Sequence, residues 1–383
     1  MKINRKIGNW LERRWISPAY AGGLLTFLSL FFFGAATNTM AGWLYVISGT
    51  SFALLAIAAV LPVRSLKPLE VHRRPIEPVS VGNQLTIELE IYNRSDQPKT
   101  LLQVYDQLPS ILGKSATAIE TLAPRSAYHW VYYLPTERRG VYHWEQVQLR
   151  TATPLGLFWC RRDRQAKATA IVYPTVLPLT TCPLVDQMGW EQNQQVLDRS
   201  QYNMATEGVT RTLRPYRYGD PTRLIHWRSS ARYNQLRVRE LEVATGGQEI
   251  VICLDSGSSW QSDNFEQAVI AAASLYFYAS RSQLNVQLWT AQTGLVRGNR
   301  VVLSTLAAVN ASEEAIVENF PNIPVIWLTQ NSPSIFSLAS GSRWVLWSEQ
   351  ADIAAKNLSQ FTQLGLQINL EQPLQLQLQS SLK

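Results

Sequence analysis

The sequence predicts a multidomain chain with an N-terminal two-helix transmembrane hairpin, a β-sandwich and a C-terminal α/β domain. Three observations lead to this fold class. No charged residue occurs from Trp15 to Val63, polar and apolar residues alternate from about residue 69, and apolar strands alternate with helical segments after Gly247. The chain has 383 residues, of which 46% are apolar and 13 are tryptophan, as is typical of a folded protein of two or three modules.

The uncharged stretch contains two segments, residues 19–37 and 41–61, that are each long enough to cross a hydrocarbon core, which takes about 20 apolar residues. Only three uncharged residues separate them, which predicts a hairpin within residues 1–68. A cleaved signal peptide is the alternative for the first segment. The second apolar run follows at once, however, without a small-residue cleavage site.

Positive charge flanks the predicted hairpin on both outer sides and is absent from its turn. The basic residues are Lys2, Arg5, Lys6, Arg13 and Arg14 before it and Arg64, Lys67, Arg73 and Arg74 after it. Because cytoplasmic flanks carry an excess of Lys and Arg, we expect a multi-pass protein of the cytoplasmic (inner) membrane with its soluble domains on the cytoplasmic side. The three cysteines form no Cys-x-x-Cys pattern, which fits buried thiols in a reducing compartment.

Residues 69–176 contain short alternating runs separated by Gly, Pro and Asn, which predict a β-sandwich with an immunoglobulin-like topology. The predicted strands are residues 84–92, 101–105, 127–134, 140–150 and 169–173. A polar stretch with two prolines, residues 177–201, then predicts a linker or mobile loop.

Residues 246–372 alternate between apolar strands and helical runs, which predicts a parallel sheet covered on both faces. The predicted strands are 249–254, 284–290, 324–329, 344–347 and 366–370, and the predicted helices are 264–280, 313–320 and 351–364. Ligands bind such sheets at the carboxyl ends of the strands. Residues 373–383 form a Gln- and Leu-rich tail.

Between the two soluble domains, residues 202–245 hold the most unusual composition in the chain. Nine arginines and no lysine occur from Arg199 to Arg239. Arginine without lysine indicates a need for its planar, bidentate geometry rather than for charge alone. A helix is predicted from about Pro221 to Tyr233, with Asp220 as its N-cap and Asn234 at its end, followed by a strand.

The spacing Tyr-x-x-Gly-Asp-x-x-Arg-x-Ile-His-Trp-x-x-Ser-Ala-Arg resembles the signature of the bacterial domain-of-unknown-function family number 58. The signature residues are Arg214, Tyr216, Gly219, Asp220, Arg223, Ile225, His226, Trp227, Ser230, Ala231, Arg232, Arg239 and Glu240. The chain departs from the family upstream, where Val209 and Thr210 stand in place of a common Glu-Phe pair. The resemblance implies a membrane-anchored protein with a von Willebrand factor A-like region, often encoded near MoxR-type AAA+ ATPases. No catalytic activity is established for this family.

The resemblance also implies a candidate metal site at the end of the first α/β strand. Asp255 to Ser259 looks like the Asp-x-Ser-x-Ser loop that holds Mg²⁺ in von Willebrand A domains, although Gly257 replaces the middle serine. The later strand end at Thr329 carries no acidic residue. Asp255 and Ser259 are therefore a degenerate magnesium candidate, and we expect a loop kept for its backbone turn and a protein without a cofactor.

Several alternatives remain for the signature segment. Asp220 and His226 could act as a base and its orienter, although the N-cap role accounts for Asp220. The arginines could pair with Asp220, Glu240 and Glu242 to hold the segment together. Trp227 and Tyr216 are expected to be packing residues, so nucleic-acid binding is not expected.

Sequence patterns of hydrolases, zinc proteases, P-loop proteins and Rossmann dinucleotide sites do not occur in the chain. We therefore expect a non-catalytic adaptor at the membrane that binds a protein partner, with a MoxR-type AAA+ ATPase implied by the family. The alternative is a metal- or anion-dependent binder or enzyme that acts on a phosphate-bearing substrate through Asp255, Asp220 and the arginines.

Overall fold

A computed structural model describes residues 12, 15–188, 209–216, 222, 225–242, 249–314, 323–347 and 363–382. The chain divides into two compact units, Met1–Tyr173 and Pro174–Lys383. The coarse fold prediction, two apolar helices followed by sheet-rich regions, is confirmed.

The N-terminal unit begins with a two-residue strand, β1 (Ser17–Pro18), and two long helices, α1 (Tyr20–Thr39) and α2 (Gly42–Leu66). Among the described residues, these two helices are long and apolar enough to cross a membrane, by length and composition. The chain reverses at Met40, whose φ of 51° lies in the left-handed region.

Helix α2 ends later than predicted. The prediction placed its end at residue 61, one residue before a proline, and proline removes a backbone hydrogen bond inside a helix. The helix instead continues through Pro62 to Leu66. Leu66 is fully buried in the hydrophobic core of the unit, so packing of the last turn outweighs the lost hydrogen bond.

Eight further strands follow the helices and form two sheets around one core. They are β2 (Leu69–Arg73), β3 (Val79–Ser80), β4 (Gln84–Asn93), β5 (Lys99–Asp106), β6 (Ser115–Leu122), β7 (Ala127–Pro135), β8 (Gly140–Thr151) and β9 (Phe158–Tyr173). The smaller sheet has the order β2-β4-β7, and the larger has the order β1-β9-β8-β5-β6 with β3 also paired to β9. Both sheets contribute side chains to a single hydrophobic cluster.

Strand β6 and the first eleven residues of β9 were not predicted. The buried side chains of β9 include Ala166, Ala168 and Ala170, which give a weak hydrophobic signal, and several of the intervening residues are charged. Strand β9 pairs with β1, β3 and β8, so tertiary pairing overrides a weak local pattern here.

A buried ion pair ties the two sheets together. Arg73 on β2 donates two hydrogen bonds to Asp106 on β5, at 2.6 and 2.9 Å, and the two side chains are 2% and 0% exposed. Asp106 also accepts from the Tyr132 hydroxyl at 2.5 Å and from Trp144 Nε1 at 3.1 Å. Burial, reinforced by the Asp106 charge, raises the pKa of the Tyr132 hydroxyl above its ordinary value, so Tyr132 remains a donor.

The C-terminal unit contains a hairpin, described below, and a six-stranded sheet. The sheet strands are β12 (Glu249–Leu254), β13 (Asn285–Thr290), β14 (Gly294–Val296), β15 (Val325–Thr329), β16 (Arg343–Trp347) and β17 (Gly365–Ile368), in the order β14-β13-β12-β15-β16-β17. All neighbouring strands are parallel except β13 and β14. Separate hydrophobic clusters form from the side chains of alternate residues along the strands, as for a sheet covered on both faces.

The helices of this sheet are α4 (Ser262–Arg281), α5 (Asn299–Ala308) and the short α6 (Leu374–Leu378). Strand β14, helix α5 and helix α6 were not predicted, and α6 lies in the segment that was expected to be a tail. Of the helix predicted at 313–320, Glu313 and Glu314 are not helical and the rest lies outside the described residues. The helix predicted at 351–364 also lies outside them, apart from its last two residues, which are not helical.

The predicted linker is part of a folded core as far as it is described. Residues 183–188 form a helical turn. Leu179, Cys182, Leu184, Val185 and Met188 are buried in the same cluster as α4. The prediction missed these apolar side chains because residues 177–201 are polar on average. Burial raises the pKa of the Cys182 thiol to about 12, and all three cysteines of the chain are free and buried.

We expect Asp106→Ala to lower the free energy of unfolding of the N-terminal unit by about 3–5 kcal/mol, because it leaves the Arg73 guanidinium buried without its counter-charge. Chemical denaturation of the full chain in detergent measures this change. The matched control is Asp96→Ala, which breaks an exposed pair with Arg125 at 2.6 Å and should cost less than about 1 kcal/mol. Equal losses for the two variants would contradict a structural role for the buried pair.

Candidate functional site

The signature segment folds as a two-stranded antiparallel hairpin with a short helix between the strands. Strand β10 (Val209–Pro215) pairs with β11 (Arg237–Glu242), and Arg214 lies opposite Val238. Ile225 forms an additional bridge to Val238, and both side chains are buried. The small core of the segment is therefore built around Val238.

The helix α3 (Trp227–Tyr233) begins six residues later than predicted. The predicted start at Pro221 is wrong because Ile225 is held in an extended bridge to Val238, which a helix through that position would exclude. His226 is the N-cap instead: its Nδ1 accepts a hydrogen bond from the Ser229 N–H at 3.2 Å. Asn234 ends the helix in the left-handed conformation, as predicted.

Ser230 holds the helix against the hairpin. Its hydroxyl donates to the His226 carbonyl at 3.0 Å and accepts from the Arg237 N–H at 2.9 Å, and the residue is 6% exposed. The His226 N–H in turn donates to the Arg237 carbonyl at 2.8 Å. One buried hydroxyl thus satisfies backbone groups of both the helix and the strand, which a larger or apolar side chain could not do.

The outer side of this segment carries aromatic and basic side chains. Trp227 is 66% exposed, so the expectation that it packs in a core is wrong, whereas Tyr216 is half-buried. Arg228 and Arg232 lie one turn apart and are both exposed, as is Ala231. The guanidinium of Arg237 lies over the ring of Tyr233 at 4.3 Å, which keeps that exposed ring in place.

Part of the signature cannot be placed against this geometry. Gly219, Asp220 and Arg223 lie outside the described residues, as do the side chains of Arg239 and Glu240. The prediction that Asp220 caps this helix is wrong, since His226 is its N-cap. The Asp220–His226 pair and the pairing of arginines with acidic partners of the segment lie outside the described residues and remain predictions.

The second candidate site lies at the carboxyl ends of β12 and β15. Asp255 directly follows β12 and is 8% exposed. Its Oδ2 atom accepts hydrogen bonds from the Ser258 hydroxyl at 2.7 Å and from the Thr329 hydroxyl at 2.6 Å. Ser259, the predicted second ligand, is exposed, and the serine that bonds to Asp255 is its neighbour Ser258.

The loop that follows Asp255 is held by backbone contacts as well. Ser256 is fully buried, and its hydroxyl accepts from the Ala291 N–H at 3.0 Å. The Glu313 N–H donates to the Ser256 carbonyl at 3.0 Å, and its carboxylate accepts from the Asn310 N–H at 2.8 Å. The fixed turn that the sequence predicts is present, with four chain segments joined at one edge of the sheet.

The residues at this edge do not fit a magnesium site. Mg²⁺ requires several oxygen ligands in near-octahedral geometry. Here Asp255 is the single carboxylate at the strand end, and its Oδ2 atom already accepts hydrogen bonds from the hydroxyls of Ser258 and Thr329. Within the described residues, no group of three or more His, Cys, Asp or Glu side chains could hold a metal ion.

The fold and the signature define a class of protein with two candidate membrane helices, two packed sheets, and a parallel-sheet unit that carries the signature hairpin. Residues 212–298 match the family model described as "Protein of unknown function DUF58". The predicted resemblance to this family is confirmed over this region of the chain.

A curated relative, "Uncharacterized protein YeaD" of Bacillus subtilis (strain 168), is 23% identical over 277 residues. The match covers 68% of this chain and 66% of the relative, just under two thirds of its length. Among solved structures, a CARDB domain from Pyrococcus furiosus covers 27% of this chain and 93% of its own, with a TM-score of 0.19 and 12% identity. A β-glucosidase from Listeria innocua covers 24% of this chain and 16% of its own, with a TM-score of 0.16 and 17% identity.

We expect Ser230→Ala to loosen the helix from the hairpin, because it removes both hydrogen bonds of the buried hydroxyl and leaves the Arg237 N–H without its acceptor. Hydrogen exchange of the Arg237 amide should accelerate about tenfold or more, which corresponds to about 1.4 kcal/mol. Ser229→Ala is the matched control, since Ser229 contributes its backbone N–H to the His226 cap. Equal exchange in the two variants would contradict the role assigned to Ser230.

We expect Thr329→Val to destabilise the C-terminal unit by about 1–3 kcal/mol, because Asp255 loses a buried hydrogen-bond donor. Thermal unfolding measures the loss, and Thr121→Val on an exposed position of β6 is the control, with a change within about 0.5 kcal/mol. Excess MgCl₂ should leave the unfolding temperature of the wild-type chain unchanged. A magnesium-dependent rise that disappears in Asp255→Ala would contradict a metal-free loop.

Proposed function

We propose that this protein is a membrane-anchored, non-catalytic adaptor that binds a protein partner through the exposed face of the signature segment. The observation that carries the proposal is the exposure of Trp227 and Tyr233 beside Arg228 and Arg232. Trp, Tyr and Arg are the residues most enriched among those that dominate binding energy at protein interfaces. Leu236, which is 43% exposed, extends the same short stretch of chain.

The chemistry of this face favours a partner surface with acidic and apolar groups. The guanidinium groups can form bidentate bonds to carboxylates, and the indole and phenol rings supply apolar contact area with little loss of conformational entropy. The family resemblance implies a MoxR-type AAA+ ATPase as the partner. We propose an ATPase of this type as the first partner to test.

The sheet of the C-terminal unit supports a von Willebrand A-like, Rossmann-type module as the scaffold of this adaptor. Numbered along the chain, its six strands lie in the order 3-2-1-4-5-6, the order of doubly wound nucleotide-binding folds. Asp255 occupies the carboxyl end of the first of these strands, next to the point where the strand order reverses. Such positions are where open α/β sheets bind ligands.

The absence of catalysis is part of the proposal and is supported by the roles of two side chains. The Nδ1 atom of His226 caps helix α3, and the carboxylate of Asp255 accepts hydrogen bonds from two hydroxyl groups. A general base needs a lone pair that is available to its substrate. Structural roles of this kind account for both residues without a reaction.

The membrane anchor is proposed to be the α1–α2 hairpin, inserted with both ends in the cytoplasm. The basic flanks of the hairpin support this orientation. Aromatic side chains support the span: Trp15 and Tyr20 are exposed at one end, and Trp43 and Tyr45 are exposed at the other. Tryptophan and tyrosine are enriched at both interfaces of a bilayer.

We expect Trp227→Ala to abolish recovery of the partner in crosslinked affinity purification from native membranes, because truncation of a central interface aromatic costs about 2 kcal/mol or more, or about 30-fold in affinity. The matched control is Tyr133→Ala, which truncates an aromatic side chain of β7 that is 61% exposed. It should leave recovery unchanged. Mass spectrometry identifies the captured protein.

The two variants separate the parts of this proposal. Recovery of an AAA+ ATPase by the wild type and the control, but not by Trp227→Ala, supports both the face and the partner. Recovery of a different protein with the same pattern supports the face and rejects the ATPase. Equal recovery by all three chains rejects the signature face as the binding surface.

A further inference from the structure

We propose that one end of the larger N-terminal sheet lies in the interfacial layer of the bilayer and binds phospholipid there. The contact surface consists of Leu101 and the loop 152–157. The inference rests on the proposed insertion of the α1–α2 hairpin, and it adds a lipid-binding surface outside the two membrane helices.

The first argument is that this loop is fixed against the start of α1. Strand β1 pairs Ser17 with Trp159 and Pro18 with Phe158, so the chain enters the helix directly from the sheet. The Ala19 N–H donates to the Leu157 carbonyl at 2.9 Å. A Cβ atom added to Gly22 would lie 2.0 Å from the same carbonyl oxygen, so the first turn of the helix touches the loop.

The second argument concerns height above the bilayer. Helices α1 and α2 have 20 and 25 residues and are joined by a short turn. At about 1.5 Å per residue, the end of α2 lies about 7 Å farther from that turn than the start of α1. The parts of the sheets that adjoin Leu66 therefore lie farther from the bilayer centre. The loop beside Ala19 lies at the same depth as the start of α1, where the apolar segment ends.

The third argument is the chemistry of the surface. Leu101 is 66% exposed and Leu155 is 43% exposed. Together with Ala19, which directly precedes α1, they line a cleft of about 460 Å³, within the size range of small-molecule sites. Its wall combines apolar groups of Ala19, Leu155 and Trp159 with polar groups of Gln103 and Glu120.

This combination fits a phospholipid better than water or an apolar ligand alone. Apolar side chains exposed to water cost about 25 cal/mol per Å² relative to an apolar environment, and the acyl region beside α1 supplies that environment. The polar wall faces the layer of glycerol and headgroup atoms. Tyr20, which is 90% exposed at the start of α1, belongs to the same interfacial level.

Photolabelling tests the inference on the full chain. The chain is placed in nanodiscs that contain a phospholipid with a diazirine near the glycerol end of one acyl chain, irradiated, and mapped by mass spectrometry. We expect adducts on α1, on α2, on the loop 152–157 and on Leu101. Ile111, which is 60% exposed beyond the opposite end of β5, is the internal control and should carry none.

The pattern of adducts distinguishes two failures. Adducts on the helices but not on the loop 152–157 would overturn the lipid-contact surface and leave the membrane anchor intact. A lack of adducts on the helices themselves would overturn the membrane anchor. Adducts on Ile111 equal to those on the loop would show labelling without a defined surface and would also overturn the inference.

A double variant, Leu101→Asn and Leu155→Ser, tests whether the apolar contact holds the lipid. Leu101 has a φ of 50°, a conformation that asparagine adopts more readily than most residues, so the backbone should be retained. Adducts on the loop should fall to the level of Ile111, while adducts on α1 and α2 remain unchanged. Undiminished labelling of the loop would contradict the proposed contact.

Discussion

The N-terminal unit depends on one constraint: the two candidate membrane helices join the sheets through connections of only one or two residues. Two residues separate Leu66 from β2, and one residue separates β1 from α1. The backbone groups at these helix ends therefore have to be satisfied by the sheets. The Leu157 carbonyl accepts from the Ala19 N–H, and Arg164 donates to the carbonyls of Leu66 and Leu69, at 2.7 and 2.8 Å.

Strand β9 makes this junction possible because it serves several partners along its length. Near its start it pairs with β1, at Arg164 it contacts the end of α2, and at Ala166 its carbonyl accepts from Arg73 Nε at 3.2 Å. The last contact links it to the buried pair of Arg73 and Asp106. A strand that fulfils these roles cannot also present a regular apolar pattern, since its side chains alternate between small core residues and arginines that bond to other elements.

This explains how much of the fold the sequence could predict. The alternation in β4 was recognised to within one residue because its buried side chains are large and apolar. Strand β9 was recognised only at its carboxyl end. An arginine such as Arg164 does not indicate a strand by itself, because the hydrogen bond that makes it favourable there goes to the Leu66 carbonyl, 98 residues away in the chain. Local patterns report burial of apolar groups, whereas they do not report hydrogen bonds between distant elements.

The same distinction applies to the candidate sites. An apolar run followed by Asp255 indicated a strand end with a polar loop, and this was sufficient to locate the edge of the sheet. The identity of its partners was not predictable, because Thr329 lies 74 residues away and the turn selects Ser258 rather than Ser259. In the signature, Asp220 and Pro221 are typical of the start of a helix, so the sequence predicted that the helix begins there. The bridge between Ile225 and Val238 that moves it to Trp227 is a tertiary contact.

The position of that helix start determines which side chains the signature segment exposes on its outer side. With His226 as the cap, Ile225 supplies the buried apolar side chain, and Trp227 is released to the outer side. The arginines of the chain also include both buried and exposed side chains. Arg73 and Arg164 use the planar guanidinium internally, on a carboxylate and on helix carbonyls, whereas Arg228 and Arg232 remain exposed beside Trp227. The planar guanidinium geometry that binds a carboxylate inside the N-terminal unit is thus exposed on the signature segment, where the proposed partner would supply the carboxylates.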